Sequence, residues 1–205
     1  MNKRGLANWG VWIGVVSGIY CAIYALTIGR WTEGVMGGWH IMCATFTALP
    51  IYFTAGAKRE DWLKFSCSNI VGVLWGMLYL FCMDRLNFLG WPWWANAMVV
   101  IAGVCVLQCA LHFNLPPKMQ TNVVPAQFGA ISSTFWCCNL TIAVTSTPGA
   151  TAIGGFYNFS AVGCLMATLV GGVTLGLLCN EGLNFIDGKT GKWKMPGKAA
   201  AIDGE

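Results

Sequence analysis

The chain has 205 residues, of which 56% are hydrophobic and only 10% charged. That balance excludes an ordinary water-soluble globular domain and leaves little sequence for one beside the apolar segments. The net charge of +4 comes from basic residues gathered at segment ends, so it carries no implication of nucleic-acid binding.

Six apolar stretches follow one another, at 7–29, 34–56, 63–84, 91–113, 123–146 and 157–180. Each holds roughly 20 or more residues, enough to cross a ~30 Å hydrocarbon core as a helix. Lipid offers no partner to an open backbone, so these spans are expected to be helical, and no alternating barrel pattern is present. The expected fold is therefore an all-α integral membrane protein of six transmembrane helices. A single domain spans 1–186, followed by a polar tail at 187–205.

The first stretch follows Lys3 and Arg4, as a signal peptide would, but it is too long and continues past Cys21 without a cleavage pattern, so it is read as retained. It carries a small-residue ladder, Gly10, Gly14 and Gly18. The second contains His40, then Cys43-Ala44-Thr45-Phe46, then Pro50, whose ring frees a carbonyl near Phe46. The third carries Gly72-Val73-Leu74-Trp75-Gly76. The fourth holds Gln108 and ends at His112, a residue expected at the interface. The fifth contains Gln127 and then Ser132-Ser133-Thr134-Phe135, with Asn139 beyond. The sixth carries Gly172-Val173-Thr174-Leu175-Gly176. Glycines four residues apart let helix backbones approach closely in lipid.

Ten of the twelve basic residues fall on one side if the N-terminus is cytoplasmic; only Arg30 and Arg85 fall on the other. The positive-inside rule then puts both termini in the cytoplasm. Two Thr-Phe pairs, each followed one span later by Gly-Val-x-x-Gly, suggest a repeat. Three spans per half would invert it, giving a 3+3 arrangement of the kind found in transporters.

No charged residue lies in the interior of an apolar stretch: Lys64 and Asp84 sit at the two ends of the third, and all eight acids sit at span ends, in loops or in the tail. Pumps and coupled carriers usually keep an ionisable handle within the membrane. Catalysis by acid, base or metal lacks its usual parts, so neither an enzyme nor a cofactor or metal site is expected. The ten cysteines all fall in the spans, where they read as small apolar residues; Cys105 and Cys109, a turn apart, are a weaker candidate for a soft metal.

The uncharged polar residues concentrate on the second and fifth spans. If these cross at mid-membrane, Thr45, Phe46, Thr134 and Phe135 would form a neutral constriction, with His40, Gln127, Ser132, Ser133 and Asn139 as its vestibules. Such a filter would pass small neutral molecules and resist ions, having nothing to replace an ion's hydration shell. The leading expectation is a passive channel or facilitator for a small neutral solute. The rival is a non-transporting scaffold or accessory subunit of a larger membrane complex, which the glycine ladders suit equally well. A coupled transporter relying on the charge of its substrate is a third reading. Membrane lipid, and further copies of the chain packed through the first ladder, are the expected partners.

Ser17-Gly18-Ile19-Tyr20, the 72–77 stretch, Val124-Pro125-Ala126-Gln127-Phe128-Gly129 and the segment from Gly176 onward resemble the small bacterial inner-membrane proteins grouped as domain of unknown function 1097. The resemblance covers about 10–186. It implies a multi-pass inner-membrane location and no settled activity. The chain departs from that pattern in its longer connection before the sixth span and in its cysteine and tryptophan content.

Overall fold

The computed structural model describes residues 2–30, 39–86, 89–116, 118–138 and 159–194. Apolar side chains with few breakers produce helices almost throughout. They are α1 (Lys3–Tyr24), which runs on as a π-turn over Ala25–Gly29, α2 (Trp39–Met42), α3 (Thr45–Thr54), α4 (Trp62–Leu86), α5 (Trp93–Phe113), α6 (Val124–Cys138) and α7 (Phe159–Glu181). Among the described residues there is no strand, only an isolated bridge between Ile186 and Trp193.

Four helical stretches are long and apolar enough to cross a membrane: Lys3–Gly29, Arg59–Met83, Trp94–Phe113 and Val162–Phe185. They match the first, third, fourth and sixth expected spans. The second does not run as one helix. It turns at Cys43 and Ala44, where Phe46 and Thr47 bond to carbonyls three residues back, and only then enters α3. The described part of the fifth is α6, 15 residues long.

The centre is built from α3, α4, α6 and α7. The most extensive helix contacts are α4 with α6 and α3 with α7. Ala48 and Tyr52 of α3, Phe65 and Val73 of α4, Ala126 and Ala130 of α6, and Leu165, Leu169 and Val173 of α7 share one buried core. Glycine makes both main contacts possible. A β-carbon on Gly72 would lie 2.5 Å from the Gln127 carbonyl oxygen, and one on Gly172 would lie 2.5 Å from that of Thr45. Gly76 likewise meets Thr134, and Gly176 meets Tyr52. Only hydrogen fits at the Gly72 and Gly172 separations, so there the backbones touch directly, while Gly76 and Gly176 meet side chains.

Helices α1 and α5 are peripheral, with most of their surface outside the bundle. Indole and phenol groups tie α1 down: Trp9 and Trp12 donate to the carbonyls of Cys179 and Leu178, and Tyr24 bonds Thr168 at 2.9 Å. The face of α1 bearing Gly10, Gly14 and Gly18 has nothing within 4 Å of where their β-carbons would be.

The segment after α7 forms a tight hairpin over the start of α1. The Asp187 amide donates to Lys192 O, and Lys194 N to Phe185 O. Gly191 turns at φ +69° and packs on Asn2 and Gly5. Asn2 caps α1 through Gly5 N and donates to Lys189 O. The two described ends of the chain therefore lie at the same end of the bundle.

Candidate functional site

Two polar regions lie at opposite ends of α6. At its C-terminal end a cleft of about 540 Å³ separates α6 from the turn between α2 and α3. Thr47, Ser132 and Ser133 supply hydroxyls, and Cys43, Ala44, Phe135, Trp136 and Cys137 supply the rest of the wall. Ser133 donates to Gly129 O, which leaves the exposed Ser132 as the freer hydroxyl.

At the N-terminal end a buried hydrogen-bond network joins three helices. Tyr79 of α4 donates to Gln108 of α5, and Gln108 donates to Gln127 of α6 at 2.9 Å. The Gln127 amide nitrogen donates to Thr121 O and lies 3.0 Å from His112 Nδ1. Trp75 Nε1 donates to His112 Nε2 at 2.9 Å. Indole can only donate, so Nε2 is the accepting nitrogen of this imidazole. Nearby, Ser68 accepts from Val123 N and donates to Gln120 O, holding the loop before α6 against α4.

The four residues expected at the constriction have different surroundings. Thr45 is buried and bonds Tyr20 at 3.0 Å, whereas Thr134 is buried against Gly76 and donates to Ala130 O. Phe46 is 49% exposed and points away from the core. Phe135 packs edge-on against Tyr79. The physical reason is helical: adjacent residues project about 100° apart, so a Thr that faces inward turns the following Phe elsewhere. The vestibule set also divides. Ser132 and Ser133 line the cleft; Gln127 belongs to the network at the other end. The His40 side chain and Asn139 lie outside the described residues.

His112, expected at the interface, is instead buried within the network. Trp75 is its partner, and Trp136 lines the cleft. Of the glycines, Gly72, Gly76, Gly172 and Gly176 lie against a neighbouring helix, whereas Gly10, Gly14 and Gly18 face open space.

Sequence reasoning missed Ser66 and Asn69. Both are buried, at 3% and 1% exposure, and Ser66 Oγ, Asn69 Oδ1 and Asn69 Nδ2 have no protein partner. Each such group costs about 1–3 kcal/mol when left unpaired. The available signal was the run Ser66-Cys67-Ser68-Asn69, polar residues one turn before a glycine ladder in an otherwise apolar span.

Among the described residues, no group of three or more His, Cys, Asp or Glu is placed to hold a metal. No family model matches the chain, and comparison with curated proteins and with solved structures returns no match.

Proposed function

We propose that the chain is a passive channel or facilitator for a small neutral solute, acting as a multi-pass protein of the bacterial inner membrane. One observation carries this reading: the core of a membrane-type bundle holds uncharged polar side chains where a coupled carrier would hold acids. Thr45, Ser66, Ser68, Asn69, Gln108, Gln127, Ser133 and Thr134 are all buried in it. Hydroxyls and amides exchange hydrogen bonds with a neutral solute at little cost, yet compensate an ion's lost hydration poorly. The cleft beside Ser132 and Ser133 is the entrance this reading assigns at one end.

The bundle is proposed to be a 3+3 inverted repeat of six spans with cytoplasmic termini. The reciprocal contacts favour it, because α4 on α6 and α7 on α3 exchange when the halves exchange. They also favour a different alignment from the Thr-Phe one. Ala44-Thr45-Phe46-Thr47-Ala48 matches Ala126-Gln127-Phe128-Gly129-Ala130, with Phe53 opposite Phe135. In this alignment Ala44 pairs with Ala126 and Ala48 with Ala130, all four buried, while Phe46 and Phe128 both face outward. Gly172 meets Thr45 and Ala48 as Gly72 meets Gln127 and Ala130. Thr45 thus corresponds to Gln127, about two turns before Thr134.

The open glycine face of α1 supports a homo-oligomer joined there. The same face keeps the scaffold reading alive, since it would equally seat a helix of a larger complex. Osmotic reswelling of proteoliposomes across a panel of neutral solutes separates the two. The facilitator speeds reswelling for at least one small solute and leaves ion leak unchanged; a scaffold leaves every rate at that of empty liposomes.

A further inference from the structure

We infer that Ser66 and Asn69 form a binding site for a small neutral molecule presenting a hydrogen-bond donor and acceptor side by side, as a primary amide does. The inference builds on the facilitator reading by naming a solute class and a place for it.

The placement follows from α4. Asn69 precedes Gly72 and Gly76 by three and seven residues, so it shares their face toward α6. Seven residues earlier, Trp62 donates to Thr174 of α7, and Phe65 stacks edge-on with Tyr52 of α3. Asn69 therefore lies between the faces of α4 that meet α6 and α7, at the centre of the four-helix core. Ser66, one turn away, is its neighbour on the helix surface.

The chemistry follows from what is unpaired. Asn69 keeps both a carbonyl acceptor and an amide donor without a protein partner, and Ser66 adds a hydroxyl. A carboxamide free on both sides is complementary to a second carboxamide, which accepts one bond and donates another in the same plane. An acceptor-only molecule leaves the Asn69 oxygen unpaired, and a charged one meets no counter-charge. The neighbouring Ser68 and Gln127 are already bonded, so the site's open valences belong to Ser66 and Asn69.

Saturation-transfer NMR on the full chain in detergent reads binding without requiring flux, with acetamide and N,N-dimethylacetamide as probes. The expected result is an acetamide signal at least fivefold above that of dimethylacetamide, which lacks the donor. Asn69→Leu should lose it, with a melting temperature equal to or above that of the unsubstituted protein, because no protein hydrogen bond is removed. Equal signals from the two probes, or an acetamide signal unchanged in Asn69→Leu, overturn the site. Where Asn69→Leu fails to fold, Ser66→Ala decides: a signal weakened at least twofold supports the site and an unchanged one overturns it. Acetamide flux into proteoliposomes reports separately. Asn69-dependent binding without flux keeps the site and removes the facilitator; flux that Asn69→Leu leaves unchanged keeps the facilitator and removes the site.

Discussion

Gly172 and Thr45 are in backbone contact: a β-carbon on Gly172 would sit 2.5 Å from the Thr45 carbonyl oxygen and 3.0 Å from the Ala48 β-carbon. The Gly72–Gln127 contact repeats it on the other side of the core. Both predict the same sign for one small change. Gly172→Ala and Gly72→Ala should each destabilise the bundle by about 1–3 kcal/mol, because backbone cannot yield as a side-chain tip can. Gly14→Ala, which adds its methyl to open space, should be neutral or stabilise by up to about 1 kcal/mol. Reversible unfolding in mixed micelles measures all three; equal effects at Gly14 and Gly172 would contradict the packing.

Tyr79, Gln108 and Gln127 form one chain of bonds across α4, α5 and α6, beside the bonded pair of Trp75 and His112. Gln108→Leu and Gln127→Leu should each cost about 1–3 kcal/mol, since each strands a buried partner. The double variant should cost less than the sum by about 0.5 kcal/mol or more, as neighbours in one network do. A double-mutant cycle that comes out additive would show that the two amides do not share a bond.

The open face of α1 sets a third expectation. Gly14→Leu should reduce the oligomer to monomer in mild detergent while leaving the melting temperature within a few degrees, since nothing in the monomer touches that position. Light scattering on the eluting peak reads the mass. An unchanged oligomer would move the subunit contact elsewhere.

Asp187 ties the terminal hairpin. Its carboxylate accepts from Thr190 N at 2.7 Å and Lys189 N at 2.8 Å, and these bonds hold its pKa below the usual carboxylate value. A depressed pKa means stabilisation that is present above the unfolded value near 3.9 and lost as pH falls through the lower folded one. The hairpin should therefore stay docked from neutral pH down past about 4. Asp187→Asn should weaken docking at neutral pH and flatten the acid transition. Emission from Trp193, whose ring lies tilted against Trp12, follows the docking; identical acid titrations for the two proteins would contradict the role.

Much of the bundle was legible because lipid demands long apolar helices. The four helices long enough to cross a membrane and the glycines on α4 and α7 could be read from residue type and spacing. The constriction could not. Thr-Phe is a short motif that matches at more than one offset, and which offset is structural depends on where Gly72 and Gly172 touch their neighbours. His112 ends a span, which points to the interface; its bonding partner Trp75 and its neighbour Gln127 lie 37 and 15 residues away in sequence. Nothing in the local sequence of Asn69 reveals that the core leaves it unpaired. Cys43 and Ala44 break the second span without proline or glycine at the break, so no local signal marked the turn.

The most direct test of the central claim is the initial rate of neutral-solute uptake into proteoliposomes, measured with and without an imposed voltage and pH gradient. A passive path through an uncharged core predicts uptake that rises in proportion to protein, is indifferent to both gradients and carries no current. Uptake that needs either gradient, or that never exceeds the protein-free rate, would contradict it.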